Sequence, residues 1–167
     1  ELEAGIRLPA VDEPVHYEAE LALLIGARLS HANEQEVESA ISGLGLALDL
    51  TLRETQSQLK KNGHPWEIAK AFDGACPLSA FVPREQFPAT HRFHFNLHIN
   101  GEARQHGDTA DMLKPIPALV SYMSKHFTLE PGDVVLTGTP AGVGKLAPGD
   151  ALSLTLEDRL SIETTVS

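Results

Sequence analysis

Cysteine is nearly absent: Cys76 is the single one among 167 residues. That excludes an internal disulfide framework and any multi-cysteine metal site, and it fits a reducing, intracellular compartment best. Aromatic residues make up only 5% of the chain, so a core must be assembled from aliphatic side chains. Basic residues are also scarce. Thirteen Lys and Arg stand against 23 Asp and Glu, a net charge of −10, which argues against nucleic acid or an anionic membrane surface as partner. A local basic pocket for an acidic small molecule remains compatible with it. No apolar run approaches the ~20 residues of a membrane span, and the longest, Leu21 to Ile25 and Gly43 to Leu48, are strand-sized. The opening Glu1-Leu-Glu-Ala-Gly5 lacks both the basic start and the apolar stretch of a signal peptide, and it lacks an initiator Met. A cytoplasmic chain without its N-terminal segment is the expectation.

With 42% hydrophobic and 22% charged residues, 1–167 has the composition of one domain with a sizeable core. Val15 to Ile25 alternates and predicts a strand, with Val15, Tyr17, Ala19, Leu21 and Leu23 on one face and His16, Glu18 and Glu20 on the other. Asn33 to Ile41 predicts a short helix N-capped by Asn33. Gly43 to Leu50 predicts an apolar strand. Thr51 to Lys61 predicts a helix with a capping box between Thr51 and Glu54, ended by Asn62-Gly63. Phe93 to Asn100 alternates strictly, and Asn100-Gly101 signals a type I′ hairpin into Glu102 to Gln105. A helix is predicted over Ile116 to His126, then strands at Val134 to Thr137, Ala151 to Leu156 and Leu160 to Val166. The expected class is α+β and β-rich, built on curled sheets with a few short helices.

Two carboxylates at i and i+2 of a strand project from one face, so Glu18 and Glu20 either line a solvated surface or share a hard cation such as Mg²⁺. Asp49 bears on that choice. It closes a segment apolar on both faces, where an ionised carboxylate costs several kcal/mol without a cation or donors, unless it merely caps a turn. Three carboxylates and no thiolate suit Mg²⁺ or Mn²⁺. Arg53, Gln56 and Lys60 share one face of the following helix, and Arg53 stands one turn from Asp49, placed to grip a substrate carboxylate. Lys70 lies in an apolar setting, either aimed at an anion or snorkelling to the surface. The loop Thr137 to Gly144 offers three glycines, exposed amides and the Thr139 hydroxyl, without the spacing of a nucleotide-binding loop. His94 and His98 fall on the polar face of their strand; His31, His64, His91, His106 and His126 sit in loops or at element ends. His16 is a weaker candidate beside the glutamates, and Cys76 reads as structural.

In order along the chain, Val15-His-Tyr-Glu-Ala-Glu-Leu21, Leu46-Ala-Leu-Asp-Leu-Thr-Leu-Arg53, Pro65-Trp66 and Ala69-Lys-Ala-Phe-Asp73 resemble the fumarylacetoacetate hydrolase family. So do Cys76-Pro77, Ile99-Asn-Gly-Glu102, Thr109-Ala-Asp-Met112, Leu129-Glu-Pro-Gly-Asp133, Leu136-Thr-Gly-Thr-Pro140 and Gly142-Val-Gly144. The nearest likeness is to its small acylpyruvate hydrolase branch. This resemblance implies a homodimer of curled mixed β-sheets around one Mg²⁺ or Mn²⁺. It implies Glu18, Glu20 and Asp49 as metal ligands, and Arg53, Gln56, Lys70 and Thr139 as the residues holding a 2-oxo acid, with Lys70 and Thr139 nearest the chemistry. The implied reaction is C–C hydrolysis of 3-acylpyruvates to pyruvate and a carboxylic acid. Decarboxylation or keto–enol tautomerisation of oxaloacetate at the same site is the alternative, and a non-catalytic binder of metal and oxo acid is a further one. The family's general-base His and its partner Glu lie upstream of the Glu-x-Glu motif, whereas 17 residues precede Glu18 here, so metal and substrate binding are expected ahead of turnover.

Overall fold

A computed structural model describes residues 1–88 and 92–167; His91 lies outside the described residues. The elements run β1 (Val15–Tyr17), β2 (Ala19–Ile25), α1 (Glu34–Ala40), β3 (Ile41–Leu48), β4 (Thr51–Leu52), α2 (Arg53–Asn62), α3 (Glu67–Lys70), β5 (Val82–Pro83), β6 (His94–Ile99), β7 (Glu102–Asp108), α4 (Ile116–Ser124), β8 (Val134–Leu136), β9 (Gly144–Lys145), β10 (Ala151–Leu156) and β11 (Leu160–Thr165). Among the described residues they form three sheets, ordered β4-β1-β9, β11-β10-β6-β7 and β5-β3-β2-β8. Their ladders are antiparallel, and one parallel bridge joins Ile6 to Val166. The α+β, strand-rich class is as expected. No helix among the described residues is long and apolar enough to cross a membrane.

The core is aliphatic. Leu21, Leu23, Leu44, Leu46, Leu48, Leu97, Leu152 and Leu154 are all but inaccessible and belong to one cluster. Burial of each such side chain is worth about 2 kcal/mol, so β2 and β3 are fixed in register by what they bury. That register carries Glu18 and Glu20 to one end of the β2–β3 pair and Asp49 beside them.

The span Val15 to Ile25 is not one strand. β1 pairs with β4 and β9, while β2 pairs with β3 and β8 in a different sheet. The chain changes sheets at Glu18, whose carbonyl accepts from the Asp49 N–H at 2.8 Å. Alternation persists through the break because both halves bury the same face, which is why periodicity alone does not reveal it.

α1 begins as predicted. The Asn33 side chain accepts from Glu36 N–H at 3.0 Å, and Glu36 accepts from Asn33 N–H at 2.8 Å. The Asn100-Gly101 turn has φ of 54° and 80°, the type I′ pattern. Beyond it the β6–β7 register slips by one residue at Arg104, because Leu97 faces Gln105 while His98 faces Ala103. The bulge leaves Arg104 exposed and Gln105 buried. Gly142, at φ +102°, packs on it so closely that a Cβ there would lie 2.1 Å from the Arg104 carbonyl oxygen.

The start of α2 departs from expectation. Thr51 is buried in β4 opposite His16 and caps no helix; its hydroxyl donates to the Asp49 carbonyl at 3.1 Å. The cap comes from a distant residue instead. The Glu13 carboxylate accepts from the N–H groups of Glu54 at 2.9 Å and Thr55 at 3.1 Å, and from the Thr55 hydroxyl. A capping acid 41 positions upstream of Glu54 leaves no local signature. Replacing Glu13 with Ala is expected to cost about 1–2 kcal/mol in urea unfolding, whereas Thr51→Ser, which keeps the hydroxyl, costs less than about 1 kcal/mol.

Candidate functional site

The site forms where the chain crosses between sheets. Glu18 sits at the break, Glu20 on β2, and Asp49 just beyond β3. One ligand atom from each lies within 4.8 Å of the others, making this the one such acidic, Cys or His group among the described residues. Glu20 is buried and the other two are partly so. Arg53, the first residue of α2, donates from Nη2 to Glu18 Oε1 and from Nη1 to Gln56 Oε1 at 2.9 Å. Lys70, at the end of α3, places Nζ 2.9 Å from Glu18 Oε2, 2.6 Å from Asp49 Oδ2 and 2.6 Å from Thr51 Oγ1. It does not snorkel; it is an ammonium aimed inward at two carboxylates.

The loop after β8 closes the other side. The Gly138 N–H donates to Glu20 Oε2 at 2.6 Å, so the loop's predicted capacity for an anion is taken up by this carboxylate. The Thr139 hydroxyl donates to the Ala19 carbonyl at 2.8 Å. Sequence reasoning did not single out Gln105, yet it completes this corner. Its Oε1 accepts from Ala19 N–H at 2.9 Å, and its Nε2 donates to Thr139 Oγ1 at 2.8 Å and to the Pro140 carbonyl at 3.0 Å. A lone Gln in a hairpin strand carries no motif, and only the bulge that turns it inward marks it.

The three carboxyls are not equivalent. Burial pushes Glu18 up, but hydrogen bonds from Lys70 and Arg53 outweigh it and hold the group below the usual carboxylate range. Asp49 is raised, first by burial, which Lys70 only partly offsets. Glu20 is pushed up to about 7, first by burial and further by the charges of Asp49 and Glu18 against the single donation from Gly138. Both cationic side chains thus serve Glu18 and Asp49, and Glu20 is short of positive charge. Oxygen donors converging on a point deficient in positive charge fit a hard divalent cation.

The remaining candidates fall outside this group. Gln56 is buried and reaches the site through Arg53. Lys60 is exposed and stacks 4.7 Å from the Trp66 ring. His94 contacts Glu157 and Asp108 rather than His98. His16 has a buried Nδ1 without a partner, and burial followed by the Arg53 charge lowers its pKa. Cys76 is a free, exposed cysteine whose thiol is pushed up first by desolvation and then by the charges of Asp49 and Glu20.

Curled sheets carrying an acidic cluster at a strand crossover define a class, and comparison with known proteins identifies it. The chain matches the fumarylacetoacetate (FAA) hydrolase C-terminal family over residues 2–167. It belongs to the fumarylacetoacetate hydrolase family. It is 52% identical over 158 residues to the oxaloacetate tautomerase YcgM of Escherichia coli (strain K12), covering 94% of this chain and 72% of that protein. It is 41% identical over 157 residues to the mitochondrial oxaloacetate tautomerase FAHD1 of Homo sapiens, covering 94% and 71%. Its fold superposes on fumarylpyruvate hydrolase from Pseudomonas aeruginosa in complex with Mn²⁺ and pyruvate, with a TM-score of 0.91 and 32% identity over 97% of this chain and 70% of that one.

The expectation of 3-acylpyruvate C–C hydrolysis is therefore corrected. Relatives at 41–52% identity are named oxaloacetate tautomerases, and the misreading has a chemical cause. Hydrolysis and tautomerisation share a 2-oxo acid and its enolate. Arg53, Gln56, Lys70 and Thr139 are the residues expected to hold that common half, so they do not discriminate between the two reactions.

The raised Glu20 makes stability depend on pH with a defined sign. Between 4.5, its ordinary value, and about 7, the folded chain holds a proton that the unfolded chain has lost. Its contribution is complete below that window and gone above it, on the order of 3 kcal/mol. The metal-free protein should lose stability as pH rises through this window. Glu20→Gln should flatten most of that slope and melt higher than the parent above it, as read by thermal unfolding in EDTA.

Proposed function

We propose that this protein is a divalent-metal-dependent oxaloacetate keto–enol tautomerase. Its relationship to proteins named oxaloacetate tautomerases, over 94% of its length, carries the reading. Glu18, Glu20 and Asp49 are the proposed ligands of Mg²⁺ or Mn²⁺. Arg53, Gln56, Lys70 and Thr139 are the proposed contacts to the 2-oxo acid. A homodimer is proposed from the family resemblance alone.

Tautomerisation is the lighter of the chemistries such a site permits. One C–H bond at C3 breaks, one O–H bond forms at the C2 oxygen, and the carbon skeleton stays whole. No water need be activated to attack a carbonyl, and the acid–base work is confined to carrying one proton between C3 and the C2 oxygen. The barrier is the charge that develops on the C2 oxygen. A bound divalent cation supplies electrostatic stabilisation of that enolate charge. Lys70 is poised to add to it, because Glu18, Asp49 and Thr51 fix its Nζ inside a partly dry corner, where a fixed charge needs little reorganisation. Arg53, braced by Gln56, presents a fork suited to a carboxylate. Thr139 and its loop wall the opposite side of the proposed substrate position.

The test follows the decay of enol-oxaloacetate by its ultraviolet absorbance. With Mg²⁺ the protein should accelerate ketonisation above the buffer rate, EDTA should abolish the acceleration, and neither pyruvate nor CO₂ should be released faster than in buffer. Absence of acceleration with Mg²⁺ present sinks the assignment. Lys70→Met should lower the catalysed rate by about 100-fold or more while the chain still folds.

A further inference from the structure

Two glutamates separated by one residue can share a cation only if the peptide between them is held still. That residue is Ala19, fully buried and without a side chain to anchor it. The strand that would secure it stops short. β8 pairs with β2 only as far as Ala22, and the Thr137 N–H reaches the Leu21 carbonyl at 3.2 Å. Past that point the chain leaves as the Gly138–Pro140 loop. The N–H and C=O of Ala19 would go unpartnered in a dry interior, at about 1–3 kcal/mol each. Two side chains take the place of the missing strand: Gln105 accepts from the N–H, and Thr139 donates to the C=O.

We propose that Gln105 is the positioning residue of this site, fixing the Glu18–Ala19–Glu20 backbone and Thr139 through one amide; this rests on the reading of Glu18, Glu20 and Asp49 as metal ligands. The amide is only 3% exposed, so water does not substitute for it. Its orientation is fixed from both ends, because the Ala19 N–H can only donate and the Pro140 carbonyl can only accept. Both Nε2 hydrogens are committed, one to Thr139 Oγ1 and one to Pro140. Gln105 therefore ties the metal-binding strand to the loop that carries Thr139, from a third strand in another sheet. The Arg104 bulge aims it there, and the close passage of Gly142 over Arg104 holds the loop against that bulge.

The experiment measures Mn²⁺ affinity of the full chain by the paramagnetic resonance of free Mn²⁺, beside thermal unfolding and tautomerase kinetics. Gln105→Met keeps the volume and removes all three hydrogen bonds, and Mn²⁺ should bind about tenfold or more weakly. Gly107→Ala on the same strand is the comparison. Its Cβ would meet the Phe95 ring at 2.2 Å, so it lowers stability, yet it contributes no hydrogen bond to Ala19 or Thr139. Its Mn²⁺ affinity should stay within about twofold of the parent, since the substitution removes neither of the two side-chain hydrogen bonds to Ala19. If Gln105→Met melts lower but binds Mn²⁺ like the parent, Gln105 is structural only and the proposal is overturned while the metal reading stands. If the parent itself binds no Mn²⁺, both are overturned. Gln105→Glu is the second variant, should the first not fold. It keeps the acceptor for Ala19 N–H and, neutral in this buried corner, has one proton for the two donations, so the KM for oxaloacetate should rise about fivefold with Mn²⁺ binding largely kept; an unchanged KM overturns the link to Thr139.

Discussion

Three carboxylates crowded at the end of a buried strand pair are the constraint around which this fold is arranged. Glu18, Glu20 and Asp49 repel one another in surroundings too dry to screen them. The chain answers with Lys70 between Glu18 and Asp49, Arg53 on Glu18, and the Gly138 amide on Glu20. Each donor arrives on a separate element: the end of α3, the first turn of α2, and the loop after β8. Removing any one leaves a partly buried charge uncompensated, so the positions of two helices and a loop are linked to the acids they serve.

The compensation is uneven, and the unevenness is chemically useful. Hydrogen bonds from Lys70 and Arg53 hold Glu18 below the usual carboxylate range, burial raises Asp49, and burial pushes Glu20 up to about 7. A cluster fully satisfied by protein cations would have no need of a metal. One left short of positive charge at a single oxygen-rich point offers a divalent ion a place where it relieves strain as it binds. The same cations flanking that point are the ones available to a 2-oxo acid. On the proposed reading, metal binding and substrate recognition draw on one set of electrostatic contacts, which suits a reaction whose barrier is the charge of an enolate.

Much of the scaffold was legible from local rules. Asn33 with Glu36 caps α1, Asn100-Gly101 turns the β6–β7 hairpin, and the alternation from Phe93 to Asn100 gives β6, because each depends on residues a few positions apart. The failures came wherever a distant residue decided a local outcome. Thr51 and Glu54 have the spacing of a capping box, but Thr51 is drawn into β4 by His16, and Glu13 takes over the cap. Val15 to Leu21 alternates straight across Glu18, yet the two halves of Val15 to Ile25 pair with different neighbours and part there. At the site, acids and bases of the right type stood out, whereas the uncharged Gln105 did not, since its importance lies wholly in where its amide is sent.

The aliphatic core, the β-rich class, the family and the identity of the charged and hydroxyl side chains follow from composition, periodicity and motif order, which are properties of the chain alone. Which charges meet, which carboxyl is left short, and what holds Ala19 in place emerge with the folded arrangement, because they depend on contacts between strands and loops some 86 positions apart. The choice between hydrolysis and tautomerisation was beyond the motifs as well, since both reactions need the same 2-oxo acid grip. The side chains proposed for that grip stand out plainly in the chain; the bulge at Arg104 and the break at Glu18 are what bring the site together.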